Sequence, residues 1–510
     1  MTIEPRARTV LGALAITVLL TACTGGNTTT TPRNSATSNA STTLNTAQLS
    51  PATLDPRFAK FTTCPPVFPA DKKFICTTLD VPLDRGDPSR GTITLRVFAM
   101  PHTDTTSPAL EPLFTTPGAG EPGSGNLGLL RLSETFAAHH DIITVDPRGT
   151  GASGAINCQA LQAGTISAAT EIALEASCGK DLGATADRYG AGDKAMDLEA
   201  VRQMLGYETI NYYGGWNSFD VLAYAARYPE HLHAVVIDSG SISSITQADY
   251  RDYFQTDGPK AWLDIVALAC GRDQGCHAHD PNPAKTLAGL VIQVHDHAIV
   301  DSAVPDSTLD ETALANLYRD QDPVSLVSAA DAARDGDWKP LLRMAAPTAP
   351  PKADVVQHFS LGAAAAEACN DTDRPWSLTD SIEVRHRKLA AALDRLPPDV
   401  FAPFSKSAYT ATIPPDFCIN WPAPTRYEPV IPARVNRIDV PTLLLSGDQD
   451  RTIPTSMSKL LLKLFPKATF LVVAKAGHAV LEYETCAPTI IQRFFETLDV
   501  GDRSCAATSG

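Results

Sequence analysis

Residues 208–228, ETINYYGGWNSFDVLAYAARY, constrain this chain more than any other stretch. Residues 209–213 are rich in β-branched and aromatic side chains, Gly214 and Gly215 break the extended run, and 221–226 is a good helix opener. The reading is strand, sharp turn, helix. A fold that uses this stretch must present a tight turn at the carboxyl end of a strand and pack the next helix straight back onto the sheet.

The N-terminus reads as a targeting segment. Arg6 and Arg8 precede an apolar run over 10–20 that is too short for a comfortable transmembrane helix. The run ends Leu20-Thr21-Ala22-Cys23, which resembles a bacterial lipoprotein signal with Cys23 as the lipidated residue; an ordinary secretory signal cut nearby is the alternative. From Thr24 to about Ser50 the chain is rich in Thr, Ser and Asn without apolar periodicity, the pattern of a flexible tether. The expected location is the outer face of a bacterial cell membrane, reached by export and held through a lipid on Cys23. The net charge of −15 argues against nucleic acid and anionic membrane surfaces as electrostatic partners.

There are 11 cysteines; setting Cys23 aside leaves an even set suited to disulfides in an oxidising compartment. They fall in sequence-near couples, Cys64/Cys76, Cys158/Cys178, Cys270/Cys276, Cys369/Cys418 and Cys486/Cys505, although sequence alone does not fix connectivity. No couple has the C-x-x-C spacing of a zinc or redox site. The 12 histidines form no H-E-x-x-H or H-x-x-E-H cluster, so neither metal nor cofactor is implied.

In chain order, 76–84 and 93–98 read as a β-hairpin pair, 113–116 as a short strand before PGAGEPGSG, and 141–145 as a strand before DPRGTGASG. Met196, Leu198, Val201 and Leu205 stand at helical spacing within 193–205. After the opening stretch, 234–238 is a further strand ending in Ser239-Gly240. From about 241 to 433 alanine-rich helical runs alternate with proline-rich loops, which suggests an inserted helical cap. Strand texture resumes at 439–446, followed by GDQDRTIP, a helix over 456–465, a strand at 469–473, AGHAV, and a last helix near 488–498. The expected organisation is a signal segment at 1–23, a linker at 24–55, a first core part at 56–245, a cap at 246–433 and a second core part at 434–510. Alternating strands and helices imply an α/β fold, a mostly parallel sheet with helices on both faces. Ligands in such sheets bind beyond the carboxyl ends of the strands, where every glycine-rich or acid/His segment above falls.

DIITVDPRGTGASG, AYAARYPEHLHAVVIDSG, VPTLLLSGDQDRTIP and AGHAV together resemble the tripeptidyl aminopeptidase-like branch of the proline iminopeptidase group of serine peptidases, within the α/β-hydrolase superfamily. The resemblance covers about 60–245 and 435–507. It implies an α/β-hydrolase fold, a short peptide or small ester or amide as ligand, and a C-terminal Cys486/Cys505 bridge. By motif it carries the catalytic acid onto Asp450 and the base onto His478, with Asp448 as an alternative acid. The acid holds the imidazole in its useful tautomer, and the imidazole activates a hydroxyl that is a poor nucleophile by itself. Gly118, Ala119 and Gly120 match the oxyanion loop, but the run departs from the family pattern, and Glu121 beside a developing oxyanion would oppose the chemistry.

The elbow lacks its serine. A G-x-S-x-G motif should sit at the strand-to-helix turn. Counted back from Tyr228-Pro229 the nucleophile position is Gly215; counted forward from Asn211 it is Trp216. Ser218 is the nearest hydroxyl, but on the first helical turn its bland role is to bond backbone amides; Ser239 follows a later strand. Three readings stand: a family member whose serine catalysis is lost or weak, a peptidase or esterase using Ser218, and a ligand-binding surface lipoprotein on the same scaffold.

Overall fold

The computed structural model describes residues 55–65, 67–68, 73–163, 168–215, 218–241, 258–305, 307–346, 356–483, 486–504 and 506. The expected signal, the tether with Cys23, and Trp216 and Cys505 lie outside the described residues.

Nine strands form one sheet: β1 Thr62–Thr63, β2 Ile75–Pro82, β3 Thr92–Met100, β4 Leu110–Thr116, β5 His140–Asp146, β6 Ile210–Gly215, β7 Leu232–Asp238, β8 Thr442–Gly447 and β9 Ala468–Val473. Their order is β1-β2-β3-β5-β4-β6-β7-β8-β9. The first four neighbours pair antiparallel and the rest parallel, so β4 to β9 open at one common carboxyl edge.

The central strands are buried on both faces, which is why they read as continuous apolar runs. Along β7, Val235 and Ile237 enter one core with Val221, Leu222 and Leu205, from the helices Ser218–Arg227 and Ala191–Leu205. Ala234 and Val236 enter the opposite core with Leu129, Leu132 and Ile491, from the helices Leu127–Phe136 and Ala487–Thr497. At 468–473 the strand matches its expected span. The helix expected at 456–465 is instead a turn of α-helix, Thr455–Ser458, and a 3-10 segment, Lys459–Lys463. Leu461 and Leu464, three apart, are both buried, which three residues per turn accommodates.

Between β7 and β8 the helices run from Gly258–Arg272 to Lys406–Thr412, and among the described residues no strand of the sheet lies there. Trp262, Val266, Leu290, Leu314, Tyr318 and Tyr409 fill one core of this cap. A second lobe joins Leu161, Cys178 and Ala186 to Ala366, Cys418 and Trp421. The described residues of 156–163 and 168–186, expected within the hydrolase core, therefore pack on the cap, because the apolar side of the Ala168–Leu182 helix meets the Leu361–Asp371 helix.

Disulfides join Cys158 to Cys178, Cys270 to Cys276 and Cys369 to Cys418. Cys64 and Cys76 correct the expected pairing: their thiols are hydrogen-bonded to each other and not joined. Burial pushes the Cys64 thiol up, which disfavours the thiolate that disulfide formation needs. Among the described residues the cluster Glu175, Cys369 and Cys418 has metal-ligand composition, but its two sulfurs form a disulfide and offer no thiolate. No described helix is long and apolar enough to cross a membrane.

Candidate active site

The acid and the base meet. β8 ends at Gly447, and Asp450 follows in the turn, 0% exposed. Its Oδ1 accepts the amides of Thr452 at 2.9 Å and Ile453 at 2.8 Å, and its Oδ2 lies 3.0 Å from His478 Nδ1. Two fixed donors on one oxygen aim the other at the imidazole. Gly447 is required here: a Cβ on it would come within 2.2 Å of the Ala476 carbonyl oxygen in the histidine loop. Asp448, the alternative acid, points away. It pairs with Arg272 of the cap at 3.0 and 2.5 Å and accepts the Lys475 amide at 2.7 Å, so it ties cap to core.

His478 sits in the turn after β9, its side chain 24% exposed. Lys475 and Ala479, on either side of it, are both left-handed, at φ 62° and 64°. Residues other than glycine stay there only when their surroundings fix them. The fixing comes from the end of β7. Asp238 accepts the Val480 amide on Oδ1 and the Leu481 amide on Oδ2, each at 2.9 Å. Ser239 Oγ accepts the Ala479 amide at 2.9 Å and donates to Asp238 Oδ1 at 3.2 Å. Burial pushes the Asp238 carboxyl up, against these donors and the nearby His478. Ser239 is buried and occupied in the histidine loop. Sequence reasoning passed over Asp238; its signal was an acid at the carboxyl end of an otherwise apolar buried strand.

The structure bears on one of the two counts, the one that reaches Gly215; Trp216, reached by the other, lies outside the described residues. Gly215 is the last residue of β6, and its φ lies outside the left-handed region in which a nucleophile elbow holds its tip. The described helix runs Ser218–Arg227, and positions 216 and 217, tryptophan and asparagine in the sequence, lie outside the described residues. Neither side chain is a hydroxyl or thiol nucleophile. Ser218 Oγ lies 3.2 Å from both the carbonyl oxygen and the amide nitrogen of Ser241, donating to the first and accepting from the second. Its proton is directed at a backbone carbonyl, the bracing role of a serine on the first helical turn.

The loop expected to supply oxyanion donors, Gly118, Ala119 and Gly120, is bonded from within. The Gly118 amide donates to Glu121 Oε2 at 3.1 Å, and the Glu121 amide donates back to the Gly118 carbonyl at 3.1 Å. Burial pushes the Glu121 carboxyl up, and the Gly118 amide only partly offsets it. Gly120 is left-handed at φ 78°, and its carbonyl accepts the amide of Ser360, the N-cap of the cap helix Leu361–Asp371. A Cβ on Gly120 would meet the Ser360 carbonyl at 2.6 Å, so glycine is what lets the cap sit on this loop.

Beneath the loop, Lys194 bridges the two parts of the protein. It pairs with Glu367 of the cap and lies 3.7 Å from Asp220 on the elbow helix. Asp220 Oδ2 accepts from Thr116 Oγ1 at 2.9 Å, and Asp371 accepts the Ala191 amide at 2.7 Å and the Tyr427 hydroxyl at 3.1 Å. Burial raises Asp220 to about 7 and Asp371 to about 8, opposed in both by Lys194.

The α/β-hydrolase fold family matches residues 119–279, and the TAP-like protein family matches 402–505. No curated protein matches the sequence. Solved structures similar to the chain include an epoxide hydrolase from metagenomes of hot environments, at 14% identity and TM-score 0.35, covering 82% of this chain and 98% of that one. An α/β-hydrolase fold protein from Chitinophaga pinensis is 12% identical with TM-score 0.35, covering 83% and 98%. A thermophilic esterase from Thermogutta terrifontis is 13% identical with TM-score 0.32, covering 83% and 96%. At those scores the likenesses carry no argument, and the assignment rests on the family matches, the strand order and the positions of Asp450 and His478. The chain belongs to the α/β-hydrolase superfamily, in its tripeptidyl aminopeptidase-like branch.

Proposed function

We propose that this is an exported, lipid-anchored member of the branch that keeps the acid–base pair of a serine peptidase but has lost serine-dependent catalysis, and that it binds a short peptide or a small ester or amide at the carboxyl edge of the sheet. The observation that carries the reading is the state of the elbow. Gly215 ends the strand without a side chain, and the Ser218 hydroxyl is engaged by the Ser241 backbone. The Gly118 amide, a donor such a mechanism would need for its oxyanion, is already given to a carboxylate. In a serine peptidase that uses the same triad chemistry on an unrelated fold, loss of the serine costs on the order of 10⁶ in turnover. Asp450 and His478 remain a base for water or for a ligand's acidic proton.

The test is intact-mass labelling of the full chain in mild detergent by a fluorophosphonate, with Ser218→Ala alongside. The expected result is no adduct on the folded, disulfide-bonded protein. Stoichiometric labelling that Ser218→Ala abolishes would refute the reading and make Ser218 the nucleophile of an active hydrolase.

A further inference from the structure

β6 and β7 lie parallel, with Gly215 beside Asp238 and Tyr213 beside Val236. Side chains two apart on a strand share a face, so Tyr213 and Asp238 project to the side where Val480 and Leu481 are packed. Tyr213 is 1% exposed, and its hydroxyl donates to Asp238 Oδ2 at 2.9 Å. To reach that oxygen its ring lies over Gly215. A Cβ on Gly215 would stand 2.8 Å from the Tyr213 hydroxyl and 3.3 Å from two ring carbons, and real Cβ atoms essentially never come under 3.0 Å. Asp238 in turn holds the amides of Val480 and Leu481, and Ser239 holds that of Ala479, so three successive amides after His478 hang on the end of β7.

We infer that Tyr213 is a positioning residue: it fills the volume a side chain at the end of β6, at 215, would need and uses it to brace the His478 loop through Asp238. The inference deepens the reading of a lost nucleophile. The count back from Tyr228-Pro229 reaches Gly215, whose backbone is strand and not elbow, so the steric conflict lies at the strand end just before the turn. The residues at 213 and 215 are sterically coupled. With tyrosine at 213 a side chain at 215 must displace the hydroxyl, and with glycine at 215 the tyrosine can cross to Asp238. A serine at 215 alone would crowd the hydroxyl that supports the His478 loop.

A double-mutant cycle on the full chain tests this. Gly215→Ala lowers the denaturant midpoint in the wild-type background, and lowers it at most half as much beside Tyr213→Phe, which removes the atom at 2.8 Å. Equal losses in the two backgrounds overturn the steric coupling. Hydrogen exchange read by mass spectrometry tests the brace. Tyr213→Phe speeds exchange at the amides of 479–481 by about tenfold, the weight of one buried hydrogen bond, and moves the titration midpoint of the His478 ring, read from exchange at its C2 position. Leu314→Ala, a larger loss of stability placed in the cap core, leaves both unchanged. Exchange and titration in Tyr213→Phe that match the wild type refute the brace. Should Tyr213→Phe not fold, Gly215→Ala alone carries the test, because its methyl pushes the hydroxyl off Asp238; unaltered exchange at 479–481 then refutes it. Fluorophosphonate labelling of the wild type would sink the lost-nucleophile reading and leave this cycle intact, whereas absent coupling would sink the brace and leave that reading standing.

Discussion

Arg148, in the DPRGTGASG segment, is fully buried and should be the costliest single charge to remove. Its Nε and Nη2 each reach Asp197 at 2.7 Å, and Nη1 stands 3.4 Å from Asp193. The same guanidinium donates to the carbonyls of Pro82, Leu83 and Arg188 at 3.3, 3.1 and 2.8 Å. It thus ties the β2–β3 turn, the loop after β5 and the Ala191–Leu205 helix at one point. Arg148→Met keeps much of the volume and removes every one of these bonds. Breaking a buried pair by deleting one partner costs about 3–5 kcal/mol, chiefly because the other charge stays buried. Here Asp197 retains only Arg85, at 2.5 Å on a side chain 19% exposed, and three carbonyls lose a donor. A loss near 4 kcal/mol is therefore expected, read as a fall in the urea midpoint at constant m-value. Arg148→Met with Asp197→Leu should recover more than half of it, because the stranded carboxylate goes too. A single-variant loss below about 1 kcal/mol, or a double variant no better than the single, would refute the view that an uncompensated buried charge sets the cost.

The cap-to-core contact should depend on pH. Asp371 and Asp220 have folded values of about 8 and 7, above the usual carboxylate range, so their contribution is full below pH 4 and lost as pH rises towards 8. Thermal midpoints should fall between pH 5 and pH 8, and Asp371→Asn should flatten that slope; an unchanged slope counts against it. Reduction should loosen the second cap lobe first, since Cys369–Cys418 closes a separation of 49 residues against 20 and 6 for the other bridges. Limited proteolysis after dithiothreitol should then cut within 356–421 before it cuts the sheet, and the reverse order would be inconsistent with this. Cys23→Ala should move the protein from the membrane fraction to the soluble exported fraction; membrane association that persists in this variant would remove the lipid anchor from the proposal.

What the sequence alone determined is what depends on local chemistry and spacing. The apolar runs at 234–238 and 439–446 read as strands of a mostly parallel sheet, and the structure has them as β7 and β8. Motif position alone paired Asp450 with His478, because both lie in short turns directly after neighbouring strands. The absence of G-x-S-x-G from 208–228 was equally legible, since a motif is a matter of residue type. What only the tertiary structure decided is how distant groups use one another's space. Gly215 is a strand end rather than an elbow tip, a fact of backbone angle that either count from sequence leaves open. Glu121 folds back on the Gly118 amide, and Tyr213 crosses Gly215 to Asp238, because burial forces each polar atom to find a donor or acceptor within reach. The described residues of 156–163 and 168–186 went to the cap, since an apolar helix face records that it needs a partner but not which one.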